Sequence, residues 1–340
     1  MTRLDDELAE QPAALRRLLA GLPATVGALR GIAAGSHGVT VVARGSSDNA
    51  ARYGQYLVPL RSGRPVTLAT PSLTTVYDRT PDLTGQLVVA VSQSGRSTDI
   101  VAVLAAARRQ GRPTVAVTND PTSLLAAEAD LVVDLLAGPE RSVAATKTYT
   151  TSLVAVAALA VALAPPAGDD AAFEDLARLP GLVETTLDLA RGPAERVAET
   201  LHHATRAVTV GRGLNLSTAF ETALKITELT ATQVVPYSPA DLLHGPVGAV
   251  LADVPVLLIA PPEAASASVL EIVPGLRERG APVHVLARPD GDVPVPDDVP
   301  DWLSPVVAVV TGQLVARALA VRRGVDVDHP GGLAKVTVTH

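Results

Sequence analysis

The chain has 340 residues, 47% of them hydrophobic but only 2% aromatic, with no cysteine and a formal net charge of −7. That length exceeds one α/β domain and suits two, whose cores must be built from Ala, Val and Leu. The lack of cysteine excludes disulfides, thiolate metal sites and a thiol nucleophile; the acidic balance argues against nucleic acid, so an anionic ligand needs a local positive site.

Residues Met1 to Gln11 are polar and acidic, without the apolar core of a secretory signal. Of the two most apolar runs, Leu153 to Ala164 is too short to span a bilayer and Leu303 to Val321 carries Gln313 and Arg317, so both read as buried helices. The expectation is a cytoplasmic enzyme with no membrane partner.

In chain order, residues 4 to 34 read as one or two helices punctuated by Pro12 and Pro23. They are too few for a separate DNA-binding domain. Val39 to Ala43 is the first buried strand, followed by Arg44-Gly45-Ser46-Ser47, a helix to about Leu60, and a short strand over Val66 to Ala69. Leu87 to Leu104 then runs from an apolar strand through Ser92-Gln93-Ser94-Gly95-Arg96-Ser97-Thr98 into helical apolar spacing, the order of a βα unit. Such a turn lies at the carboxyl edge of a parallel sheet. Hydroxyls, an amide, a glycine and the unpaired N–H groups of the next helix there suit a phosphate. A serine-rich loop that merely caps the helix is the plainer alternative. Strand Thr114 to Val117, helix Ser123 to Ala129, strand Leu131 to Leu135 and a long helix from about Val143 to Ala164 complete this half.

Pro165 to Asp170 reads as a linker, with helices to about Ala204. Then the pattern repeats: strand Ala207 to Val210, turn Gly211-Arg212-Gly213, helix Ser217 to Thr230, strand Val254 to Ala260, helix Ser266 to Arg279, strand Val283 to Ala287 and a helix from about Leu303 to Arg323. "VTVVARGSS" and "AVTVGRGLN" align, which points to an internal duplication. Where the first copy has its serines, the second has Ala260-Pro261-Pro262-Glu263-Ala264-Ala265. Proline lacks a donor and a carboxylate repels phosphate, so phosphate binding is expected in the first half only.

Six motifs in order identify a relation. They are "RGSS" from Arg44, "SQSGRST" from Ser92, "VAATKTYTT" from Val143, "ETALKITEL" from Glu221, "DLLHGP" from Asp241 and "DVDHPGGLAK" from Asp326. With them the chain resembles the tandem sugar-isomerase (SIS) domain family, most closely the isomerase half of glucosamine-6-phosphate synthases. The resemblance implies an α/β fold of two tandem flavodoxin-like SIS domains, each a parallel sheet covered by helices on both faces. It divides the chain into an N-terminal helical segment (1–36), a phosphate-binding SIS domain (37–165), a second SIS domain (166–325) and a C-terminal tail or lid (326–340). It implies a hexose 6-phosphate ligand, an amino sugar, held by Gly45, Ser46, Ser47, Ser92, Gln93, Ser94 and Ser97, with Val143, Ala145 and Ala334 near the sugar. The catalytic positions fall on Lys225, Glu228, His244 and Lys335, with His244 acting in trans in a homodimer. No cofactor and no metal are implied. Ala145 stands where relatives often carry serine, and Arg44 and Arg96 add positive charge as candidate extra phosphate contacts. Without a cysteine, glutamine-dependent amidation by this chain is not expected.

Moving a proton between C1 and C2 asks for one carboxylate over both carbons, its pKa raised by burial. Glu228 is the candidate; Lys225 and Glu221 share its helical stripe. A solvent-facing Glu–Lys ladder is the plain alternative. His244 suits proton transfer to the ring oxygen. In the resembled enzymes Lys335 is an amine able to form a Schiff base with a ketose, and Gly331-Gly332 would let the tail fold over a site. His202 and His203, adjacent on a helix, cannot chelate together. The expected activity is an amino-sugar 6-phosphate isomerase/deaminase, glucosamine 6-phosphate to fructose 6-phosphate and ammonia or the reverse. The alternatives are a fructosamine-6-phosphate deglycase, a lyase or dehydratase eliminating from an N-acetylamino-sugar 6-phosphate, and, in another class, a non-catalytic sugar-phosphate sensor.

Overall fold

The computed structural model describes residues 2–333 and residue 335. The elements run α1 (Arg3–Ala9), α2 (Gln11–Ala20), α3 (Leu22–Ile32), β1 (Gly38–Ala43), α4 (Ser46–Ser62), β2 (Val66–Leu68), α5 (Pro71–Thr75), β3 (Gln86–Val91) and α6 (Thr98–Arg109). They continue with β4 (Thr114–Thr118), α7 (Leu124–Ala127), β5 (Leu131–Asp134), α8 (Lys147–Leu163), α9 (Asp169–Thr200), β6 (Arg206–Val210), α10 (Leu216–Thr230) and β7 (Gln233–Tyr237). The chain closes with α11 (Pro239–Leu243), β8 (Val256–Ile259), α12 (Ser266–Leu270), α13 (Val273–Glu278), β9 (Val283–Leu286) and α14 (Ser304–Arg322). They fall into two compact units. One comprises residues 13–140 and 147–177 together with Lys335; the other comprises residues 2–12, 141–146 and 178–333.

The first unit is an all-parallel sheet in the order β2-β1-β3-β4-β5. β1 and β4 are buried along their whole length and β3 at all but its first residue, as strands covered on both faces must be. That is why they read as Val-rich runs without a regular polar alternation. α8 packs against α3 and α4, and all 17 of its residues are buried. Its Ala- and Val-rich sequence permits this, because small side chains let neighbouring backbones approach. The helix begins at Lys147 rather than near Val143, and Asp169, read from sequence as linker, opens α9 and pairs with Arg30 at 3.0 Å.

The second unit repeats the plan with one strand fewer, in the order β7-β6-β8-β9, also parallel. β7 carries Pro236 opposite Thr209 and sits at the sheet edge, where a ladder tolerates a missing N–H. α10 lies against α14. α14 is the one helix among the described residues long and apolar enough to cross a membrane, and 89% of that stretch is buried. The two helices approach at Gly312, where an added Cβ would sit 2.1 Å from Thr222 Oγ1 and 2.9 Å from its Cβ. Gly312→Ala is therefore expected to destabilise the fold. Overpacking of about 1–3 kcal/mol, at its upper end here, outweighs the helix-propensity gain of about 1 kcal/mol. A higher urea midpoint for the variant would contradict this.

Candidate functional site

In the first unit, sheet order reverses between β1 and β3, so the loops leaving their carboxyl ends diverge and leave a crevice for a ligand. α4 starts in that crevice after Gly45, and α6 after Ser97. The turn between β3 and α6 is held by its backbone. Gly95 N–H donates to the Ser92 carbonyl and hydroxyl, both at 3.2 Å, and the Gln93 carbonyl accepts from Asn119 N–H at 3.1 Å and the Thr118 hydroxyl at 3.3 Å. Gly95 has φ +60°, and a Cβ there would meet Ser123 Oγ at 2.1 Å, so glycine is required twice over. Ser97 occupies the N-cap position of α6 without a side-chain cap bond. Its hydroxyl is not spent on capping, against the plainer reading of a capping loop.

The two arginines are engaged locally. Arg44 Nε lies 2.7 Å from Asp99 Oδ2, whose side chain is buried, and Arg96 Nη2 lies 3.8 Å from Asp120 Oδ2. Lys335 belongs to this unit. Its ammonium donates to Glu140 Oε2 at 2.7 Å; Oε2 also accepts from the Thr148 hydroxyl at 2.5 Å, and Oε1 from Thr148 N–H at 3.1 Å. The Glu140 side chain is fully buried and that of Lys335 is 20% exposed. Glu140 had no sequence signal: a glutamate between proline and arginine in a loop reads as a solvated charge. Ala334 lies outside the described residues.

In the second unit, α10 brings Glu221, Lys225 and Glu228 onto one stripe. Lys225 Nζ is 3.5 Å from Glu221 Oε1 and bonds Glu228 Oε2 directly. The Lys225 side chain is 2% exposed, that of Glu221 0% and that of Glu228 24%. This is no solvent-facing ladder: an ammonium is shared inside the protein. The most buried carboxylate is Glu221, while Glu228 keeps an exposed edge. His244 follows α11 on an exposed turn, and among the described residues no hydrogen bond or ion pair joins it to the Lys225 cluster. Val143 and Ala145 are half-buried in the stretch before α8.

The loop after β8 differs from the serine turn, as its Pro-Pro-Glu sequence suggests. Glu263 accepts from Asn215 Nδ2 at 3.5 Å, so a side-chain carboxylate stands beside the residue at the N-cap position of α10. Burial pushes its carboxyl up, against the Asn215 and Ala265 hydrogen bonds that lower it; Asp301 adds to the rise. A raised carboxyl means the folded state holds its proton longer, so wild-type stability gains as pH falls from the raised folded value toward 4.5. Glu263→Gln is expected to match or exceed wild-type stability at pH 7, with the difference shrinking as pH falls toward 4. Thermal unfolding across that range measures it.

The SIS domain model matches residues 34–162 and again 200–293. The chain is 35% identical over 316 residues to an isomerizing glutamine–fructose-6-phosphate aminotransferase of Thermus thermophilus, covering 88% of this chain and 52% of that protein. It thus spans about half the length of the curated relatives it matches. Among solved structures, a Silicibacter pomeroyi protein described as a phosphosugar isomerase aligns with a TM-score of 0.86 at 36% identity, over 96% of this chain and 100% of that one. The C-terminal domain of glucosamine-fructose-6-phosphate aminotransferase from Francisella tularensis aligns with a TM-score of 0.88 at 25% identity, over 96% and 98%. With the family model matched once on each parallel sheet, this chain belongs to the SIS domain family and carries the domain in tandem.

Proposed function

We propose that the protein interconverts an amino-sugar 6-phosphate and its ketose 6-phosphate by aldose–ketose chemistry, releasing or taking up ammonia. The observation that carries this reading is the Lys335–Glu140 pair, an amine held 2.7 Å from a fully buried carboxylate in the unit that also bears the serine turn. A lysine fixed in this way is placed to present its amine to a ketose carbonyl.

The proposed sequence starts with the phosphate seated among Ser47, Ser92, Gln93, Ser94 and Ser97, backed by the N-termini of α4 and α6. His244 protonates the ring oxygen as the ring opens; its exposure suits a side chain that serves the neighbouring subunit of a homodimer. Glu228 takes the proton from C2, leaving a C1–C2 enolamine, and the enclosed Lys225 ammonium, bonded to Glu228, orients that carboxylate and balances its charge. Return of the proton to C1 gives the C2 imine. Lys335 displaces ammonia from it, and water then hydrolyses the lysine imine to the ketose. The net change is glucosamine 6-phosphate plus water to fructose 6-phosphate plus ammonia, and every step is reversible. The aminotransferase relatives are named for fructose 6-phosphate, which supports this substrate class.

The test is a panel of glucosamine, N-acetylglucosamine and C1-glycated fructosamine 6-phosphates followed by product NMR and ammonium assay. Borohydride with fructose 6-phosphate should block Lys335. A vinylic product without ammonium would replace this reading with β-elimination. Binding of every sugar with turnover of none would leave a sensor.

A further inference from the structure

The short helix α1 has no role in the chemistry above, yet its backbone and side chains are tied to three other parts of the chain, two of which lie close in sequence to Lys335 and Glu140. Its amino end is capped from elsewhere: the N–H groups of Arg3 and Leu4 donate to Asp328 Oδ2 and Oδ1 at 3.0 and 3.1 Å. Asp328 stands seven positions before Lys335 in the tail. Asp5, inside a capping box with Thr2, takes Arg317 of α14 at 2.8 Å. Two residues on, on the opposite face of the helix, Glu7 is buried at 5% exposure, and its carboxylate receives two consecutive backbone N–H groups. Arg141 N–H comes to Oε1 at 2.5 Å, and Ser142 N–H to Oε2 at 3.2 Å and Oε1 at 3.3 Å. The first of these N–H groups belongs to the peptide bond that joins Glu140 to Arg141. The second precedes Val143 and Ala145.

A buried carboxylate accepting two successive main-chain donors fixes the conformation of a loop more firmly than a single neutral bond does. These donors are satisfied by a side chain 134 and 135 residues away, and the chain enters the helix only at Lys147. We infer that Glu7 is a positioning residue: it holds the loop that presents Glu140 on one side and Val143 and Ala145 on the other. The inference rests on the functional reading above for what that loop does. An amine and its carboxylate must meet within hydrogen-bond reach, and a misplacement near 1 Å costs on the order of 100-fold in rate.

The experiment compares Glu7→Ala, Glu7→Gln and Asp5→Asn with the wild type in the full chain. Glu7→Ala is expected to lose on the order of 10- to 100-fold in kcat, while KM changes by about twofold, because the phosphate is gripped by a separate turn. Borohydride trapping of Lys335 slows in step. Glu7→Gln keeps an oxygen acceptor and should restore kcat to within about threefold of wild type. Asp5→Asn loosens α1 from α14, lowers Tm and leaves kcat unchanged. Equal losses in Asp5→Asn and Glu7→Ala would reduce the effect to general stability and overturn the inference.

A second readout does not depend on turnover. The Arg141 and Ser142 amides are expected to be protected from hydrogen exchange in the wild type, and at least about tenfold less so in Glu7→Ala. Rapid exchange of both in the wild type overturns the inference even if Glu7→Ala does not fold. A wild type that turns over none of the sugar phosphates defeats the functional reading instead, and the exchange result still decides whether Glu7 holds the loop.

Discussion

Glu228→Gln is expected to lower kcat by about 10²- to 10⁴-fold with little change in KM, the range for loss of a positioned general base. The variant is nearly isosteric and keeps an oxygen toward Lys225, so the fold should survive; what disappears is a group able to take a proton from carbon. Exposure decides between the two carboxylates of the cluster. Glu221 is fully enclosed and can only balance charge, whereas Glu228, with 24% of its side chain exposed, can meet a ligand. Steady-state rates, with wash-out of deuterium from C2 of the sugar, measure the effect. A kcat within about threefold of wild type would remove Glu228 from the mechanism.

Lys225→Met is expected to be the most destabilising single change in the cluster, at about 3–5 kcal/mol, the cost of breaking one side of a buried ion pair. The lysine side chain is 2% exposed and its ammonium serves both carboxylates. Methionine fills a similar volume, so the loss is electrostatic and not a cavity. It follows that Lys225→Met with Glu221→Gln should recover stability relative to Lys225→Met alone, since one of the two charges left behind is gone. Urea denaturation of the four forms gives the coupling directly. A double variant less stable than Lys225→Met would mean that packing, not charge, sets the cost.

Most strands were legible because burial on both faces leaves no choice of residue type. The short buried apolar runs of β1, β3, β4 and β8 announce themselves. β7 was not legible: an internal Pro236 and a half-exposed edge pattern argue locally against a strand, and only pairing with β6 overrules that. Two short helices, α5 and α11, fell below the length at which periodicity speaks. The Glu221–Lys225–Glu228 stripe could be read because spacings of three and four residues put side chains on one helix face. Which carboxylate would be buried could not, since that depends on what covers the helix. Glu140 and Glu7 were invisible for a common reason. Their partners lie 195 and 134 residues away, and no local pattern encodes such a meeting.

The way the chain is shared between its two units bears on how the duplicated gene can be handled. Residues 2–12 and 141–146 belong with the second sheet, although they lie before and within the sequence of the first. Lys335, at the far end, belongs with the first. A cut near residue 165 yields two pieces of nearly equal length, yet neither holds a whole unit. The amino-terminal piece would carry α1 without Asp328 and Arg317, and the carboxyl-terminal piece would lack the segment that satisfies them. The repeats are therefore alike in plan but no longer interchangeable or separable. Splitting or recombining this protein at its apparent repeat boundary should give insoluble halves that regain structure only when expressed together.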